Sequence, residues 1–179
     1  VALPMQQLGW MAGIIDFKGR ILRKNNKTRK TMQLVLAVDT KEIAIVRKLS
    51  TMTGTRPELQ AAQPRPDFMR RNCSEHCPDQ HVHIGVDEFY MPEIARWTIT
   101  GAGMVVVLSS LLPFLTVDRG WDQAVEDATN QTVFRGPGSG MVKSTLVRLK
   151  ELGWDLPMIY EAQLPDEEDE EEEEDNEDQ

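Results

Sequence analysis

From Thr31 to Asp39 the chain alternates between an apolar side and a mixed one. Met32, Leu34, Leu36 and Val38 fall on one side and Thr31, Gln33, Val35 and Ala37 on the other. A period of two with one apolar side predicts a half-buried strand. The preceding residues 20–25, Arg20-Ile21-Leu22-Arg23-Lys24-Asn25, have a polar version of the same pattern, and Asn25-Asn26-Lys27 between them is a turn signal. Together they predict a hairpin. The period then changes. Thr40, Ile43, Val46, Leu49 and Met52 recur at helical spacing, with Asp39-Thr40 as the expected cap and Gly54 as the stop. Residues 81–89 and 94–100 return to strand patterning, the second with Trp97 and Ile99 on one side. Residues 104–115 are apolar around most of a helix, which predicts burial on all sides. Further helices are expected over 3–16, near 120–130, and over 141–153, the last amphipathic and basic and ending at Gly153.

This order of helix, two strands, helix, two strands and helix predicts an α+β fold, an αββαββα domain with a C-terminal helix added. The domain spans 1–130. It carries an irregular Pro-containing insertion at 55–83, where Pro57, Pro64 and Pro66 interrupt any regular pattern. Residues 131–140 are glycine-rich and are expected to form a linker. Residues 141–164 form a C-terminal helical segment. From 165 to 179 the chain is too acidic to build a core, and disorder is expected.

Charge sharpens the picture because it is segregated. The net charge of −9 hides a basic first part, in which residues 1–71 hold 14 Lys and Arg against 5 Asp and Glu. Residues 72–165 hold 6 against 12, and residues 166–179 hold 12 acids and no base. A basic segment predicts an anionic partner, and an acidic tail predicts something that competes with one. The tail is read as solubilising, as binding a basic partner, or as competing with that anion. No run of eighteen apolar residues predicts a membrane span, and a cytoplasmic protein of a prokaryotic or phage-infected cell is expected.

One stretch carries a family likeness. Met11-Ala12-Gly13-Ile14-Ile15-Asp16-Phe17-Lys18-Gly19 resembles the nine-letter signature of the LAGLIDADG homing endonucleases. Ala12, Gly13, Ile15, Asp16 and Gly19 are identical to it, and Met11 and Ile14 are apolar equivalents. Trp97-Thr98-Ile99-Thr100-Gly101 and Leu112-Pro113-Phe114-Leu115 look like that family's fourth strand and following helix end. The resemblance implies that two such helices pack through their small residues. With one motif per chain it implies a homodimer with Ala12 and Gly13 at the seam. It also implies a carboxylate at the eighth letter, holding a metal at the scissile phosphate. That letter is Lys18 here, which repels a cation and attracts a phosphate. Lys18 is therefore read as a phosphate clamp. Asp16 is read as a structural residue, and it is the only motif acid left to serve catalysis.

Two further groups are candidate sites. Arg20, Lys24, Lys27, Arg29 and Lys30, with Thr31 and Gln33 between them, lie on a hairpin of the size that enters the major groove of DNA. A solvated basic hairpin that blocks edge pairing is the bland alternative. All the Cys and His residues fall within 73–83. Cys73, Cys77, His81 and His83 together suit a structural, tetrahedral Zn²⁺ site, with His76 competing, against a plain surface turn with reduced thiols. The glycine-rich run before Lys143-Ser144 lacks the Gly-Lys adjacency of a phosphate loop. Ser109 and Ser110 lie in an apolar helix with no nearby base.

The expected function is sequence-specific binding of double-stranded DNA by a homodimer that has lost cleavage. An active endonuclease requiring Mg²⁺ and an RNA-binding, maturase-like splicing cofactor are the alternatives.

Overall fold

A computed structural model describes residues 2–26, 31–60, 63–64, 90–91, 94–134, 140–162 and 164. The chain is α+β, with helices packed on an antiparallel sheet. Helix α1 spans Met5–Lys18, and strand β1 follows without a loop at Gly19–Asn26. Then come β2 (Thr31–Thr40), α2 (Ile43–Thr53), β3 (Glu58–Gln60), β4 (Gln63–Pro64), β5 (Tyr90–Met91) and β6 (Ile94–Thr100). Helix α3 (Gly101–Leu111) continues into a 3-10 turn at Leu112–Phe114, and α4 (Trp121–Phe134), α5 (Gly140–Glu151) and α6 (Met158–Glu161) complete the order.

The main sheet runs β1-β2-β6-β3, every pair antiparallel, while β4 and β5 pair separately. Leu34, Leu36 and Val38 of β2 and Ala95, Trp97 and Ile99 of β6 share one parity, and all join the core with the helices. Helix α3 is buried on nearly every side, from Ala102 through Leu108 and again at Leu111. It packs against α1, α4, α5, β2 and β6, so its apolar circumference is what its place at the centre requires. It starts directly after β6, at Gly101, whose φ of 58° admits the sharp change of direction that a side chain resists.

The buried aromatic polar groups have partners. Trp97 Nε1 donates to Thr53 Oγ1 at 3.0 Å, and Thr53 Oγ1 donates to the Leu49 carbonyl at 2.8 Å. Trp154 Nε1 donates to the Met52 carbonyl at 2.8 Å, and Tyr160 shares a hydrogen bond with Thr132 Oγ1 at 2.6 Å. Burial raises the Tyr160 hydroxyl above its ordinary range. Residues 140–164 therefore share the domain's own core, through Leu146, Leu149, Trp154, Leu156 and Tyr160.

Several expected boundaries move: α1 runs to Lys18 rather than residue 16, α4 runs to Phe134, four residues into the expected linker 131–140, α5 ends at Glu151 rather than Gly153, and Glu58–Gln60 of the expected irregular insertion pairs with β6 as strand β3. Asp39 and Thr40 end β2 rather than capping a helix. Helix α2 begins at Ile43 after Glu42, and Thr40 Oγ1 accepts the Glu42 N–H at 3.1 Å. Helix α3 begins three residues earlier than its apolar run. The expected strand at 81–89, the linker residues 135–139 and the tail 165–179 lie outside the described residues. Among the described residues no helix is long and apolar enough to cross a membrane.

Candidate nucleic-acid interface

The motif ends where α1 becomes β1, and the geometry there is tight. A Cβ on Gly19 would lie 2.5 Å from the Ile15 carbonyl oxygen and 2.9 Å from Ile15 Cγ2. Glycine is needed for that close approach, since φ at Gly19 is an ordinary −71°. Asp16, only 9% exposed, points into the segment after the 3-10 turn. It accepts the Thr116 N–H and Thr116 Oγ1–H at 2.8 Å each, and the Val117 N–H at 3.2 Å. Burial pushes its carboxyl up. The hydrogen bonds from Thr116 and Val117, with the Arg119 charge, outweigh this and hold it below the ordinary carboxylate range. Arg119 also donates to the Gly19 carbonyl at 3.2 Å. Lys18 donates to Thr40 Oγ1 at 3.3 Å, and its ammonium lies 6.0 Å from the centre of the Phe17 ring.

This donor set does not suit a divalent cation. Both Asp16 oxygens already accept hydrogen bonds, and the charge that acts on it is the cationic Arg119. Among the described residues no three His, Cys, Asp or Glu side chains come together. Cys73, Cys77, His81 and His83 lie outside the described residues.

The sheet has a second face, opposite the helices. Register pairs Arg20 with Ala37, Leu22 with Val35 and Lys24 with Gln33, so these residues share that face. Thr31 pairs with Asn26 at the end of the ladder. Arg96 (opposite Asp39), Thr98 (opposite Ala37) and Thr100 (opposite Val35) extend the face onto β6, and Glu58, opposite Arg96, extends it onto β3. Arg20 and Lys24 are exposed, Gln33, Arg96 and Thr98 are half-buried, and Val35 and Ala37 are buried between them. Arg23, one residue out of phase, belongs to the helix side of β1 near Arg119 and Gln123. Lys27, Arg29 and Lys30 lie outside the described residues.

One ion-paired group crosses this face. Arg96 grips Asp39 with two hydrogen bonds, Nε to Oδ1 at 2.6 Å and Nη2 to Oδ2 at 3.0 Å. Arg20 Nη2 donates to the same Oδ2. The Arg96 hydrogen bonds, aided by Arg20, hold the Asp39 carboxyl below its ordinary range, and Asp39 in turn raises the Arg96 guanidinium. Sequence reading passed over both Asp39 and Arg96. The signal for Arg96 was present: it alternates with Ala95 and Trp97, so it had to face away from the core. The signal for Asp39 was masked by its resemblance to a helix cap.

The motif helix has an uncovered side. Met5 and Phe17 are 72% and 79% exposed, and Gly9 and Gly13 lie between them at four-residue spacing. An added Cβ on either glycine would meet nothing within 4 Å. Ala12 is elsewhere: at 1% exposure it is buried in the core of its own chain. Of the two residues expected at a seam, only Gly13 is on the free side.

No family model matches the chain, and no curated protein is found similar to it. Similar solved structures include an archaeal intron-encoded homing endonuclease complexed with DNA. It is 12% identical, with 83% of this chain and 80% of that one covered and a TM-score of 0.45. The homing endonuclease I-TnaI is 13% identical, over 86% and 87% of the two chains, with a TM-score of 0.39. The LAGLIDADG meganuclease I-CpaMI bound to uncleaved DNA is 13% identical, over 84% of this chain and 53% of that one, also at 0.39.

Proposed function

We propose that this chain binds double-stranded DNA sequence-specifically as a homodimer, and that it does not cut. The observation that carries the reading is the register of the hairpin. It gathers Arg20, Lys24 and Gln33 on the sheet face away from the helices, with Arg96 and Thr98 beside them. Cationic side chains anchor phosphates, and amides and guanidinium groups read base edges. Lys27, Arg29 and Lys30 add charge next to that face in sequence. Helix α1, with Met5, Gly9, Gly13 and Phe17 exposed along one side, is the seam: glycines let two backbones approach, and the flanking apolar side chains gain burial.

Loss of cleavage follows from the motif end. In this reading Asp16 ties α1 to Thr116 and Val117, and Lys18 clamps a phosphate. The acidic tail weakens DNA binding by competing for the basic face, an effect that salt screens. A structural zinc at Cys73, Cys77, His81 and His83 remains part of the proposal on the strength of their clustering.

The test is selection of bound fragments from randomised duplex DNA, followed by incubation of the winners with Mg²⁺ or Mn²⁺. Enrichment of a pseudo-palindromic site that stays intact is the expected result. Cutting at its centre overturns the loss of cleavage, and preference for structured RNA over duplex overturns the DNA reading.

A further inference from the structure

The charged residues on the open face form a row of alternating sign. Glu58 on β3 is opposite Arg96 on β6, Arg96 is opposite Asp39 on β2, and Arg20 on β1 reaches Asp39 diagonally. The row crosses all four strands. Two arginines and two acids cancel, so the row adds no net attraction for a polyanion. Its use must lie in direction rather than in charge. The two arginines are also held unequally. Arg96 is gripped through both Asp39 oxygens and has Glu58 on its far side, and its side chain is 22% exposed. Arg20 ends the row on the edge strand, held by one Nη2, and its side chain is 51% exposed. A guanidinium has five N–H donors, so one bond to Asp39 fixes the group and leaves its other donors for a partner. Its neighbours in register, Ala37 and then Thr98, are small.

We infer that Asp39 and Arg96 are positioning residues that hold Arg20 as the reader of a guanine edge in duplex DNA. This rests on the reading of the open face as a DNA surface. A phosphate accepts a guanidinium from many directions, so it needs no such brace. The O6 and N7 of guanine accept two parallel hydrogen bonds only from a correctly placed plane. Bracing that plane before binding removes much of the side-chain ordering otherwise lost on association. Asp39 stays ionised at neutral pH under the two arginines, so the brace is present wherever DNA is bound.

The experiment compares the full chain with Asp39→Asn, Arg20→Ala and Arg20→Lys. Each is put through binding-site selection and, separately, through affinity measurement on an unrelated duplex. In the wild type one position prefers guanine on the order of tenfold. Asp39→Asn and Arg20→Ala erase the preference at that same position and leave the other positions intact. Arg20→Lys keeps the charge but loses the fork, and it erases the preference too. Asp39→Asn simultaneously tightens binding to the unrelated duplex, because it removes a negative charge from the face. A purely structural ion pair predicts the opposite pattern, with specific and unrelated binding weakening together as the thermal midpoint falls. That pattern overturns the inference, as does a guanine preference that survives Arg20→Ala, whose exposed side chain makes misfolding a poor explanation. A wild type that enriches no site removes the DNA reading itself. A wild type that enriches a site unchanged in all three variants removes only the role of Asp39 and Arg20.

Discussion

Replacing Asp16 with alanine separates a structural acid from a catalytic one. The carboxylate is 9% exposed and accepts three hydrogen bonds, two from backbone N–H groups of Thr116 and Val117 and one from the Thr116 hydroxyl. Hydrogen bonds to a charged acceptor contribute about 1.5–3 kcal/mol each, and neighbouring bonds to one group are not additive. Thr116 and Val117 are near enough to the surface for water to replace part of what is lost. A destabilisation of about 2–4 kcal/mol is therefore expected. In a chain of this size that lowers Tm by about 5–15 °C. Urea denaturation should show a lower midpoint at unchanged slope. The pH dependence gives an independent signature. The folded-state pKa of Asp16 is depressed, so its contribution is complete above the unfolded value near pH 4 and disappears as pH falls through the folded value. The gap between wild type and Asp16→Asn should thus be widest at neutral pH and close below about pH 4. If Asp16→Ala instead proves as stable as wild type while abolishing a Mg²⁺-dependent nicking activity, the clasp reading fails and Asp16 is a metal ligand.

Other consequences are as direct. Lys24→Ala should weaken binding to all duplexes alike and reduce the slope of log K against log salt by about 1, measured by fluorescence anisotropy between low and moderate salt. A Cβ at Gly13 would meet nothing within 4 Å among the described residues, so Gly13→Leu should keep the fold while sedimentation shows dimer converting to monomer; a monomeric wild type at roughly tens of micromolar refutes the seam. Thr53→Val strands the Trp97 N–H at the centre of the core and should cost about 1–3 kcal/mol, read from tryptophan fluorescence during unfolding. Removing residues 165–179 should strengthen DNA binding at low salt and have little effect at high salt; equal gain at both refutes electrostatic competition.

The parts of the fold that sequence reading recovered are those where one physical rule dominated. Strand β2 shows its period of two because Leu34, Leu36 and Val38 fill the core on its helix side, while its other side mixes polar Thr31 and Gln33 with Val35 and Ala37. Helix α3 is apolar from Ala102 through Leu108 because neighbours surround it there. The errors lie where two rules compete. Asp39-Thr40 looks like a cap because short polar residues before a helical run usually are one. Here the strand runs one residue past the expected 31–39, because Thr40, opposite Ala95, follows Asp39, opposite Arg96, in the ladder. An ion pair 57 residues apart in sequence leaves no local trace. Ala12 was placed on the seam because the motif pairs it with Gly13. Consecutive helical residues are 100° apart, and here that step carries the chain from the buried side to the free one. Gly13 faces outward, and Ala12 fills the core beside Met11 and Ile15.

The motif thus divides into three jobs that one short helix performs at once. Met11, Ala12 and Ile15 are the inward side, fixed by core volume. Gly9 and Gly13 are the outward side, where an added Cβ would meet nothing within 4 Å among the described residues. Asp16 and Gly19 set the exit: the acid fastens α1 to Thr116 and Val117, and the missing side chain lets β1 start against Ile15. None of these jobs depends on the residue at position 18. Lys18 is half-buried, is the last residue of α1, and donates to Thr40. The fold draws on position 18 only through the favourable charge at the helix end and the Thr40 hydrogen bond, so a change of chemistry there need not disturb the core. Lys18→Asp is the variant that isolates this. It should cost no more than about 1 kcal/mol of stability, the scale of a reversed charge at a helix C-terminus, read as a small fall in the thermal midpoint. It should also weaken duplex binding by replacing a phosphate-attracting charge with a repelling one. A large loss of stability would mean that the lysine is part of the fold, and that its chemistry was never free to change.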